Sequence, residues 1–268
     1  MTDPLTIAAA AVLTYLAATI FHEVIGHGVV CMLLGGRVLS ISSVFCEWDY
    51  RSLSRNRQRA VEAGGTLANL AAGLACACAV PSVPLTVPAW RYLLWLSAEV
   101  NLLQAGGYLM FSPVLGFGDW ASFVRGLKPP TAWKAGLAAA GLALSIGALN
   151  SGIVQIDVFF GGERSLRSQQ AWMLTALPYG CGALISCVAA LWDPSRRRLI
   201  FSSAAASTLG GTSWLLWVGG VTANTPPRVP GAALLIPENS ILILSGAIAL
   251  LFWLLGLGRG LKLRNQAR

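Results

Sequence analysis

Seven apolar stretches, each near the ~20 residues that a helix needs to cross a bilayer, constrain this chain more than anything else in it. They cover 5–34, 60–80, 90–112, 132–156, 170–192, 199–221 and 239–258. Hydrocarbon offers no water to backbone N–H and C=O groups, so such stretches must be helices that satisfy their own hydrogen bonds. The composition agrees. Hydrophobic residues make up 55% and charged residues 11%, against about 25% charged in a soluble domain. The expected fold is an all-α polytopic membrane protein of about seven transmembrane helices. The fourth stretch is the weakest, because Asn150, Gln155 and Asp157 make its end polar.

A net charge of +8 invites a nucleic-acid reading until the charges are placed. With the N-terminus outside, every Lys and Arg falls on an inside segment except Arg91, Arg164, Arg167 and Arg228. That bias sets the orientation, N-terminus out and C-terminus cytoplasmic, and accounts for the basic balance without nucleic acid. The partners expected are the lipid bilayer and a membrane-protein substrate. The start Met-Thr-Asp-Pro lacks the basic region of a signal peptide, so the first span is expected to be retained. Cys31, Cys76, Cys78, Cys181 and Cys187 lie in spans and Cys46 in an inside loop, which implies no disulfide framework. Trp90, Trp133, Trp192 and Trp253, near span ends, read as interfacial anchors.

The character of the chain changes at Lys128-Pro129-Pro130. Residues 1–127 form a three-span core that holds nearly all the informative polar residues. Residues 128–268 form a four-span accessory region rich in Ala, Leu, Gly and Trp. Between the first two spans, 37–50 is rich in β-branched and aromatic residues (Val38, Ile41, Val44, Phe45, Trp48, Tyr50) and follows Gly35-Gly36. This favours a small β-hairpin at the inner face. A basic loop lying along lipid headgroups is the alternative.

The first span carries the chain's only two histidines, in His22-Glu23-Val24-Ile25-Gly26-His27. Ionisable groups at membrane depth cost roughly 2.5–3.5 kcal/mol each on insertion scales and mark function. A divalent metal would offset that cost. Zinc-protease helices commonly carry His-Glu-x-x-His, with both imidazoles on one face and a glutamate as general base. Here the spacing is one residue longer, which on a regular helix would turn the imidazoles about 140° apart. A single π-bulge absorbs one residue, and Gly26 eases it. A catalytic zinc needs a third protein ligand. Asp119, at the inner end of the third span, lies at the depth of His22 and His27; Glu62 and Glu99 are its rivals. Interhelical hydrogen bonding by the histidines, without metal, is the plain structural alternative.

These residues resemble the site-2 protease family of intramembrane zinc metalloproteases. Ala63-Gly64-Gly65-Thr66-Leu67-Ala68-Asn69-Leu70 is similar to the family's second element, and Gly118-Asp119-Trp120 stands where an Asp-Gly sequence supplies the last ligand. The resemblance covers roughly residues 5–125. The longer histidine spacing, which is similar to that of the dipeptidyl peptidase III family, and Trp120 in place of glycine are departures. The resemblance implies zinc held by His22, His27 and Asp119, with Glu23 as general base and Asn69 or Asn101 hydrogen-bonding the oxyanion. A non-catalytic binding or chaperoning relative of such enzymes, and then a transporter, are the competing readings.

Overall fold

The computed structural model describes residues 1–192, 202, 205–228 and 233–263. Arg196 to Arg198, Arg264, Arg268 and the start of the sixth apolar stretch lie outside the described residues. The described chain is helical apart from one small sheet. Helix α1 runs from Pro4 to Leu33, α2 from Arg55 to Ala79, α3 from Pro88 to Leu115 and α4 from Asp119 to Val124. They are followed by α5 (Pro130–Ile156), α6 (Leu166–Trp192), α7 (Trp214–Asn224) and α8 (Ser240–Leu255). Asp3 caps α1 by accepting from the Thr6 N–H at 2.7 Å, and Pro4 follows at the first position, where a missing N–H costs nothing.

Among the described residues five helices, not the expected seven, are long and apolar enough to cross a membrane: Pro4–Leu33, Arg55–Ser82, Pro130–Phe159, Leu166–Trp192 and Ser240–Arg259. The expected span at 90–112 does form a helix, α3, but Glu99, Asn101 and Gln104 in its middle make it too polar for lipid. The bundle supplies the reason. All three side chains are buried, because α3 is the central helix, packed against α1, α2 and α5 rather than against a bilayer. The stretch at 199–221 is represented by a π-helical turn, Ala205–Gly211, and by the short α7. The polar end of the fourth stretch did not prevent α5 from being one of the five.

The hairpin forms: β1 (Val38–Ile41) pairs antiparallel with β2 (Cys46–Trp48). A third strand, β3 (Leu261–Lys262), adds to the other edge of β1, giving the order β2-β1-β3. The tail after α8 is thus tied to the loop after α1. Trp253 is not an interfacial anchor but 5% exposed, and its indole N–H donates to Ser43 Oγ at 2.9 Å, pinning the hairpin tip to α8. All six cysteines are free.

Candidate metal centre

The motif helix is not regular. Between Phe21 and Val29, α1 winds as a π-helix, whose i→i+5 bonds put residues five apart on one face. His22 and His27 therefore look the same way, their rings 4.9 Å apart and nearly perpendicular. The π segment packs on α2 through glycine. A Cβ on Gly26 would stand 2.6 Å from Gly65 N and 2.7 Å from Gly64 O, so only hydrogen permits this approach. A Cβ on Gly65 would stand 2.5 Å from His22 Nε2 and 2.6 Å from His27 Nε2. Gly65 thus leaves the space in which both imidazole nitrogens sit.

Asp119 reaches the same point from the far end of α3. Gly118, at φ 80°, turns the chain into α4 and places Asp119 as its first residue. The turn is fixed by Ser112, whose hydroxyl accepts from the Trp120 and Ala121 N–H groups and donates to Phe117 O. Trp120 points inward, its indole N–H donating to Thr66 Oγ1 of α2 at 2.9 Å. A tryptophan at this position therefore fastens the ligand-bearing turn to the glycine-rich helix.

The Asp119 Oδ2 atom lies 3.3 Å from His22 Nε2 and 3.0 Å from His27 Nε2, and the three atoms lie within 4.8 Å of one another. Ligands about 2.0–2.1 Å from a tetrahedral zinc are about 3.4 Å apart, so the set is of the right size. The proton inventory is more telling. His27 Nδ1 lies 2.7 Å from the Val61 carbonyl, which can only accept, so Nδ1 carries the hydrogen. In neutral His27 the Nε2 lone pair then faces a carboxylate oxygen at 3.0 Å. Two lone pairs at that distance repel unless a positive charge lies between or beside them. An imidazolium proton supplies one; a divalent cation supplies another and serves His22 as well. The carbonyl-to-imidazole contact is the kind that orients a metal-bound histidine. Burial alone would raise the Asp119 carboxyl, but the His27 and His22 imidazoles outweigh it and hold the group below the usual carboxylate range.

Glu23 sits beside this point, near the Cys46 backbone N–H, and with His22 lines a chamber of about 50 Å³. Asn69 and Gln104 line it too, joined by an Asn69 Nδ2–H to Gln104 Oε1 bond of 3.1 Å. Asn101 is not among its lining residues; its amide donates to Ser97 O within α3. Neither rival carboxylate joins the ligand set. Glu62 pairs with Arg55 at 3.2 Å, and Glu99 packs against Gly152 of α5.

Several contributors have no local sequence signal. Val61 acts through its backbone, and Ser43, Ser186, Ser207 and Thr208 bring hydroxyls to the chamber from the hairpin and from the second half of the chain. Gln104, a polar residue in an apolar stretch, and the Gly64-Gly65 pair were the usable signals. The chain matches no protein-family model, no curated protein and no solved structure.

Proposed function

We propose that this membrane protein is an intramembrane zinc metalloprotease, a divergent relative of the site-2 proteases. Its substrate would be a membrane protein cleaved in or near a transmembrane segment. The observation that carries the reading is the convergence of two imidazole nitrogens and one carboxylate oxygen within 4.8 Å of one another. Zinc bound there would polarise the scissile carbonyl and make a nearby water acidic. The chain's own residues do the rest. Glu23, near the Cys46 N–H, takes the proton of the attacking water and passes it to the leaving amine. Asn69, on the chamber wall, has a second amide N–H to give to the developing oxyanion, a role for which it is better placed than Asn101.

Counted over the seven apolar stretches of the sequence, the arginine and lysine bias supports an orientation with the N-terminus outside, the C-terminus cytoplasmic and the site toward the inner face. A chamber of about 50 Å³ holds a few water molecules at roughly 10–15 Å³ each, not an extended peptide. Cleavage therefore requires the walls to part, and β2, an edge of the sheet beside Glu23, can hold an unwound segment by strand addition.

The test uses the full chain in detergent or vesicles. Metal analysis should give about one zinc per chain, lost in His22→Ala. Glu23→Gln should keep the metal yet lose cleavage of a reporter that carries a transmembrane segment. A chain that takes up no metal at a pH where histidine is neutral sinks the proposal. A loaded wild type that cleaves nothing favours the non-catalytic, binding or chaperoning alternative.

A further inference from the structure

This inference rests on the metal reading above and concerns what makes Asp119 a ligand. A carboxylate on a six-residue helix, reached through two glycine turns at Gly116 and Gly118, is not held by its own element. Ser112 and Trp120 fix its start, and a second set of hydrogen bonds holds its far end. Arg55, in the first turn of α2, donates through Nη2 to the Ser122 carbonyl and, at 3.4 Å, to the Arg125 carbonyl. Arg59, one turn on, donates through Nε to Phe123 O at 3.2 Å and through Nη2 to Arg125 O at 3.3 Å. These carbonyls are at the C-terminal end of α4, where a helix leaves acceptors without intrahelical partners and a cation is favoured. The guanidinium of Arg55 is itself held, by Glu62 Oε1 at 3.2 Å and Gln58 Oε1 at 3.0 Å. Glu62 is 3% exposed, and its neighbour Val61 is the residue whose carbonyl orients His27.

We propose that Arg55 and Arg59, backed by Glu62, are positioning residues that clamp α4 and so hold the Asp119 carboxylate at the metal. The first two turns of α2 then fix both sides of the ligand set: Val61 sets the direction of His27, and the arginine pair sets the reach of Asp119. Neither arginine touches the site. An arginine serves better than a lysine, because Arg55 meets carbonyl and carboxylate acceptors at once, which suits the planar fork.

The experiment measures zinc affinity of the purified full chain by chelator competition, and the visible absorption of the cobalt(II)-loaded protein. It compares wild type with Arg55→Gln, Arg59→Gln, Arg55→Lys and, as a control on a remote arginine of the same face, Arg37→Gln. Loss of a group that orients a ligand typically costs 10- to 100-fold in metal affinity. That loss is expected for Arg55→Gln, with a smaller one for Arg59→Gln, partial rescue in Arg55→Lys and none for Arg37→Gln. The cobalt spectrum should change in intensity as the carboxylate leaves, which a merely less stable protein would not show. Melting of the metal-free proteins separates affinity from folding. Should Arg55→Gln fail to fold, Arg59→Gln and Glu62→Gln carry the test. Zinc affinity within twofold of wild type and an unchanged cobalt spectrum in the folded arginine variants overturn the clamp. A wild-type chain that binds no metal overturns the reading beneath it instead.

Discussion

The two halves of the chain are built from similar residues and do different work. In the first half, α1 and α2 meet backbone to backbone at Gly26, Gly64 and Gly65, and the buried polar side chains His27, Asn69 and Gln104 lie at or beside one site. In the second, apart from Ser186, Ser207 and Thr208 on the chamber wall, the ion pair of Arg167 and Asp157 lies away from it. Arg167 pairs with Asp157 at 3.7 Å, donates to the carbonyls of Gly161 and Thr222, and lies 5.5 Å over the Phe160 ring. The apolar segments of α5 and α8 are only 28% and 22% buried, against 50% for α1, so most of their surface faces out of the bundle. Close approach through glycine draws the polar cluster together, whereas α5 and α8 contribute no residue to the chamber lining. The halves are joined by α3, whose Gly106 lets α5 come near, and by the hydroxyls of Ser186 and Thr208, which close the chamber from the second half.

The sharpest way to break this contrast is to put a side chain where the first half has none. Gly65→Val would drive methyl groups into the positions of both imidazole nitrogens. The expected outcome is loss of measurable zinc binding, read by metal analysis, together with a lower melting temperature. Gly147→Val, on α5 of the second half, meets open space and should leave zinc stoichiometry unchanged.

A second substitution should separate stability from the site. Removing one member of a buried ion pair costs about 3–5 kcal/mol, because the other charge is left without compensation. Arg167→Met leaves Asp157 buried with the Arg228 N–H still donating to it at 2.7 Å, so it should lower stability by no more than about that much, while the fraction that stays folded still binds zinc with wild-type stoichiometry. A loss of zinc from the folded fraction would show that the second half does more than enclose the site.

Much of this arrangement was legible in the sequence, and the parts that were not share a physical cause. The histidine pair, its extra residue and Gly26 point to a π turn, which absorbs one residue and brings both rings to one side of the helix. Asp119 was named from its place just after the apolar stretch 90–112, which forms α3 although α3 is not among the five candidate spans. The count of spans was not legible, because hydropathy measures suitability for lipid and α3 lies among protein neighbours. Nor was β3: two residues, Leu261 and Lys262, carry no pattern, and their partner β1 is more than two hundred residues away. The Val61 carbonyl, identical in every residue, cannot be read from a side-chain sequence at all. Arg55 and Arg59 were visible only as positive charge, which fixes orientation but says nothing of the carbonyls they meet.

The smallest effect sharpens the comparison at the joint between α2 and α4. Thr66 and Trp120 are both buried, and their hydrogen bond of 2.9 Å is the direct side-chain tie between the glycine-rich helix and the turn that carries Asp119. Thr66→Val keeps the shape but leaves the indole N–H without an acceptor, a cost of about 1–3 kcal/mol. Thr66→Ser keeps the acceptor and should cost less. If the tie serves only packing, both variants hold zinc as wild type does. If it also helps to set the Asp119 turn, chelator competition on Thr66→Val should give a few-fold weaker affinity, and Thr66→Ser should restore it. Because the arginines grip the other end of α4, the Thr66→Val loss should be smaller than that of Arg55→Gln, and the double variant should lose more than the product of the two, since each end then has nothing to lean on.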